Sequence, residues 1–116
     1  LRYNEGDMAT DTFNMKRNDT SPALAGTLKD ADGDVKDITS ATVRFHMLND
    51  DDETVVDEAA TIVNATGGRV KYAWQAADTA TAGGFRGEFE VTYADATIET
   101  FPNTGYIPIR IYEDLL

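Results

Sequence analysis

Between residues 85 and 93 the chain alternates. Phe85, Gly87, Phe89, Val91 and Tyr93 fall on one face, and Arg86, Glu88, Glu90 and Thr92 on the other. A period of two marks a strand with one buried and one wet side. Burying Phe89 and Val91 stabilises the fold by about 1.5–3 kcal/mol each. Residues 94–96 read as a turn and 97–101 as the returning strand. The chain is organised around this antiparallel hairpin.

The same pattern recurs along the rest of the chain. Residues 12–16 form a short first strand, and 17–22 form a turn built on Asn, Asp and Ser and closed by Pro22. Residues 23–29 place Leu24, Gly26 and Leu28 on one face. Asp32-Gly33 is a strong turn dipeptide, so 30–34 turns the chain and 35–38 returns it. Residues 41–48 point Val43, Phe45 and Met47 one way and Arg44 and His46 the other. An acidic loop, 49–53, leads to a strand over 54–63, with room for a bulge or a helical turn at 58–60. After a turn at 64–68, residues 69–74 point Val70, Tyr72 and Trp74 inward. The small, polar segment 75–84 has room for one helical turn. The last strand, 106–112, puts Ile107, Ile109 and Ile111 on one face. Pro108 has no N–H for a ladder, which predicts an edge strand or a bulge there. Seven or eight short strands at this spacing predict an all-β antiparallel sandwich. Its span is residues 12–112, between an N-terminal arm, 1–11, and a C-terminal segment, 113–116.

At 116 residues the chain is one domain with a single core. It has no apolar run long enough to cross a membrane as a helix. The first residues are polar and lack a signal-peptide core. Met8-Ala9 reads as a start of translation, which would make residues 1–7 a tag or an upstream extension. With no cysteine there are no disulfides, thiolate metal sites or cysteine nucleophiles. The net charge of −11, from 21 acidic and 10 basic residues, repels phosphate and argues against nucleic acid as a partner. Lysine is scarce, and Asp outnumbers Glu. A high-salt habitat would explain that balance, because salt screens the self-repulsion of such a surface; the alternative is an ordinary acidic protein kept soluble by its charge.

Candidate chemistry is sparse. Asp30, Asp32 and Asp34 have the spacing that opens many calcium loops. The sixth and twelfth positions, which need Gly and Glu, hold Val35 and Ala41, so the stretch reads as a solvated turn with weak cation binding at most. Asp50, Asp51, Asp52 and Glu53 read as a solvated loop. His46 is the single histidine and has no matched nucleophile or second metal ligand. Tyr72 and Trp74 alternate with Val70 and read as core rather than a ligand platform. Asn18 and Asn64 match the N-glycosylation pattern on loops. No phosphate loop, nucleophile elbow or metal-binding helix is present. The reading is of a non-enzyme without cofactors.

The run 16–22, then Leu24-x-x-Thr27-Leu28-Lys29-Asp30-Ala31-Asp32-Gly33, then 38–47, resembles a known domain. So do Gly67-Gly68-Arg69-Val70-x-Tyr72-x-Trp74 and residues 84–91. In order and spacing they are similar to the N-terminal domain of phage upper baseplate proteins. The resemblance implies an immunoglobulin-like β-sandwich in a tailed-virus virion that docks one structural protein onto another, without catalytic residues. Members continue into a fibre or receptor-binding region, which the sequence ending at Leu116 does not include. Two further readings are a capsid-surface decoration protein and a carbohydrate- or cell-surface-binding sandwich that exposes Trp74 or Tyr112. The partners implied are other virion structural proteins and copies of the chain itself in a symmetric assembly, with no nucleic acid or membrane. The interface candidates are Tyr3, Phe13, Pro108, Tyr112, Leu115 and Leu116.

Overall fold

The computed structural model describes residues 11–115, and in it the alternating stretches are strands. In chain order they are β1 (Phe13–Lys16), β2 (Leu24–Thr27), β3 (Thr42–Leu48), β4 (Thr54–Ala59), β5 (Thr61–Asn64), β6 (Arg69–Tyr72), β7 (Gly83–Thr92), β8 (Ile98–Phe101) and β9 (Ile107–Tyr112). One 3-10 turn, Ala76–Thr79, joins β6 to β7. The strands form a six-stranded sheet, β1-β9-β7-β3-β4 with β8 also paired to β7, and a three-stranded sheet, β2-β6-β5. Their apolar faces meet as a β-sandwich.

β7 is the longest strand, at 10 residues, and three others pair with it. Along one side, Gly83 to Gly87 pair with β9 and Phe89 to Thr92 with β8. Along the other, Arg86 to Thr92 pair with β3 and set Phe89 opposite Phe45 and Val91 opposite Val43. Phe45 is the hub of the core. Its ring lies 4.8 Å from Tyr72, 5.2 Å from Phe89 and 5.6 Å from Trp74. Stacked and edge-on aromatic contacts at such spacings add to plain area burial.

Nine strands form where seven or eight were expected, and the reason lies in residues 54–63. That stretch is not one strand. β4 pairs with β3 in the larger sheet, whereas β5 pairs with β6 in the smaller. Ala60 sits at the crossing and donates its N–H to the Val43 carbonyl at 2.8 Å. A chain that changes sheets at a corner keeps its alternation on both sides of the bend, so the pattern reads as continuous. Residues 35–38 depart the other way and make only a bridge, Lys29 to Val35. Their N–H groups go elsewhere: Lys36 donates to the Leu28 carbonyl and Ile38 to that of Ala65.

The last strand is not an edge. β9 lies between β7 and β1, and its pairing with β1 is parallel, so the sheet is not wholly antiparallel. Pro108 is tolerated because of register. The Tyr112 carbonyl accepts the Arg17 N–H on the β1 side, and alternation turns Pro108 to that same side. The β1 ladder begins only at Phe13 opposite Ile109, so the missing N–H falls just beyond its end.

Candidate functional site

The solvent face of the larger sheet carries a band of paired charges. Cross-strand register sets His46 of β3 between Asp57 of β4 and Glu88 of β7, and Arg44 beside Glu90. His46 Nε2 lies 3.3 Å from Asp57 Oδ1, and His46 Nδ1 lies 3.3 Å from Glu88 Oε2. Arg44 Nε donates to Asp57 Oδ1 at 2.9 Å. That bond, more than any other cause, holds the Asp57 carboxyl below the usual carboxylate range. An open groove of about 410 Å³ runs from this band to Tyr106, whose ring lies 6.0 Å from the Arg86 guanidinium. Arg86 also bonds Asp52 and the Asn49 carbonyl. A neutral imidazole has a single N–H and donates to one carboxylate at a time; protonated, it serves both. The arrangement ties three strands together and couples the acidic loop to the sheet. Among the described residues, the polar partners of the imidazole are these two carboxylates.

Asp30, Asp32 and Asp34 come together, their carboxylates within 4.8 Å of one another. The geometry is that of a turn. Asp30 Oδ1 accepts the N–H groups of Asp32 and Asp34, both at 3.0 Å, and Gly33 takes φ +84°. Asn49 does the same in the next loop, accepting from Asp51 at 2.9 Å and Glu53 at 3.0 Å. Short polar side chains that bond backbone N–H groups a few residues on are turn formers.

The interface candidates divide. Phe13 is only 2% exposed and stacks on Trp74, so its side chain belongs to the domain's own core rather than to an interface. β1 docks in parallel on β9 and turns the ring inward. Pro108 is half-buried within the sheet. Tyr112 and Leu115 are exposed at 47% and 97%. Near them, Lys16 Nζ donates to the Glu113 carbonyl at 3.4 Å, and Arg17 pairs with the Glu113 carboxylate at 3.6 Å. Tyr3 and Leu116 lie outside the described residues. Trp74, a candidate sugar platform, is 3% exposed. Among the described residues, four exposed apolar side chains were not singled out by the sequence: Val35, Val63, Ile98 on β8 and Tyr106 in the loop before β9. Alternation along 97–101 marks Ile98 as an outward position, and the inward set Ile107, Ile109 and Ile111 puts Tyr106 outward in the same way.

The family model of the BppU N-terminal domain matches residues 4–102. No curated protein matches the chain. Among solved structures, the crystal structure of CopC from Methylosinus trichosporium OB3b is similar, at 11% identity and a TM-score of 0.50, over 90% of this chain and 87% of that one. A likeness at that identity is one of fold alone. The chain belongs to the BppU N-terminal domain family, a structural domain of phage baseplates, and its place is the virion.

Proposed function

From that membership, we propose that the domain is a structural adaptor of a tailed virus. It works in the tail, baseplate or neck and docks other virion subunits by protein–protein contact. The family match over residues 4–102 carries the reading. The role is non-catalytic and is performed by surfaces. Burial of Trp74 removes one of the two aromatics that a sugar-binding sandwich would expose; the other, Tyr112, is exposed at 47% and belongs to the docking tip. The docking devices are the two ends of the chain. The arm, 1–11, is poor in apolar residues and is ordered on a partner at an entropic cost. The end of the chain presents Tyr112 and Leu115, an apolar tip that packs against a neighbour in a repeated assembly.

The test is incorporation into particles. One variant lacks residues 1–11 and another lacks 113–116; Tyr112 stays, because its carbonyl accepts the Arg17 N–H at 2.8 Å. Each truncated domain keeps the β circular dichroism of the parent, and neither enters the particle. Normal incorporation of a chain lacking both segments would overturn docking by the termini. The position of the subunit in a particle map then reads out tail, baseplate or neck.

A further inference from the structure

The smaller sheet turns one side to solvent, and its chemistry differs from the rest of the surface. Along β6, Val70 and Tyr72 enter the core while Arg69 and Lys71 point out. Along β2, Leu24 and Gly26 face in and Ala25 and Thr27 face out, and Lys29 continues the outward set after the buried Leu28. Register places Ala25 and Thr61 on either side of Lys71, and Thr27 beside Arg69. The outward set on β2 and β6 therefore has cations among small neutral side chains, and the carboxylates of Asp30, Asp32 and Asp34 lie just beyond Lys29.

Lys29, Arg69 and Lys71 have no ion pair among the described residues. Arg69 donates only to Thr27 Oγ1, at 3.4 Å. Elsewhere Arg17, Lys36, Arg44 and Arg86 each hold a carboxylate. Lys16 and Arg110 are also without a carboxylate among the described residues, but they sit on β1 and β9 against the Glu113 carbonyl and the Tyr112 ring; Lys29, Arg69 and Lys71 share the outward side of the smaller sheet.

A second group of acids, apart from Asp30, Asp32 and Asp34, lies beside the 3-10 turn. Asp50 and Asp51 line a hollow with Ala77, Asp78 and Gly83, beside the 3-10 turn. β6 runs toward that turn, so Arg69 begins at the far end, where the Gly68 carbonyl accepts the Leu28 N–H. Arg86 bonds Asp52, which leaves Asp50 and Asp51 exposed without an ion pair of their own among the described residues.

We propose that the outward face of the β2-β6-β5 sheet docks the acidic β3–β4 loop of a second copy. Lys29, Arg69 and Lys71 of one protomer receive Asp50 and Asp51 of the next, head to tail. The proposal rests on the structural reading above for the presence of repeated copies. Charge bears on the geometry: a twofold contact centred on Lys71 would set cation against cation. A patch and its complement at different places on one chain make a heterologous interface, which closes into a ring or extends as a filament. Small side chains at Ala25, Thr27 and Thr61 let the loop approach the strands closely.

Sedimentation velocity of the full chain at low ionic strength tests it. The parent associates as its concentration rises. Joint substitution Lys29→Glu with Lys71→Glu weakens association about tenfold or more, as does Asp50→Lys with Asp51→Lys. Arg69 is left intact because it bonds Thr27, and circular dichroism confirms that both variants fold. Mixing the two restores association, since the intact loop of the first matches the intact face of the second. A parent that stays monomeric, a face variant that associates like the parent, or two variants that do not combine would each overturn the contact. A chain that is monomeric in solution yet enters particles overturns this contact and leaves the structural reading standing. One that self-associates as described but never enters particles does the reverse.

Discussion

Gly87 shows how tightly the sandwich is closed at the level of a single atom. It occupies an inward position of β7, opposite Met47 and Ile107 on its two neighbours. A Cβ there would lie 2.8 Å from Ile109 Cδ1 and 3.0 Å from Phe45 Cε1 and Cζ. Neither neighbour has room to yield: Ile109 is 2% exposed, and the Phe45 ring is held by Tyr72, Trp74 and Phe89. Overpacking of this kind costs about 1–3 kcal/mol. Gly87→Ala is therefore expected to lower the unfolding free energy by that amount, read as a lower denaturant midpoint with an unchanged slope. A variant as stable as the parent would mean that the Phe45 cluster is looser than its spacings indicate. The alternation of residues 85–93 put position 87 on the buried face, but it could not say why Gly stands there. The clash comes from residues 42 and 22 positions away in sequence, which only tertiary structure brings together.

At the scale of elements, two turns share one device. Asp37 Oδ1 accepts the Thr39 N–H at 2.9 Å and the Thr39 hydroxyl at 2.6 Å. Asp95 Oδ1 accepts the same pair from Thr97, at 3.1 and 2.6 Å. The threonine hydroxyl, then the backbone N–H, holds each carboxyl below its ordinary value. A carboxylate whose pKa is depressed by folding stabilises above its unfolded pKa and loses that share as pH falls through the folded value. Asp95→Asn keeps an acceptor oxygen and removes the charge. Denaturation at a series of pH values should find it less stable than the parent at pH 7, with the gap closing as the pH falls through the lowered pKa of the folded carboxyl. A gap that persists in acid would assign the effect to shape rather than charge. Asp-x-Thr was visible in the sequence at both places, yet the reading put each Asp and its Thr in different segments and did not pair them. The strands themselves were legible because a period of two survives in sequence. Sheet membership was not: Ala60 moves the chain from one sheet to the other without breaking the alternation, and β9 became central because the distant β1 covers it.

For the molecule as a whole, charge is the dominant long-range property. Acids gather at both ends of the sandwich, at 30–34 and 50–53, and the net charge is −11. Exposed pairs such as Arg44–Asp57 offset little of that repulsion, since surface ion pairs contribute on the order of 0–1 kcal/mol. Added salt shortens the screening length from about 10 Å at 0.1 M to about 3 Å at 1 M, within the separation of neighbouring carboxylates. The repulsion thus falls while the aromatic core is untouched. The melting temperature of the monomer is expected to rise steadily with sodium chloride into the molar range, as the lysine-poor, Asp-rich composition suggests. The contact proposed between copies has the opposite sign, because it draws on attraction between Lys71 and Asp51 across an interface that the same salt screens. The two responses separate by method: calorimetry on the loop variant Asp50→Lys with Asp51→Lys reads the fold alone, and sedimentation of the parent reads the contact. Removing two acids and adding two bases takes the net charge from −11 to −7, so that variant should also show a shallower rise than the parent. A melting temperature flat from low to molar salt in both proteins would show that repulsion does not limit this fold, and the high-salt reading of its composition would fall with it.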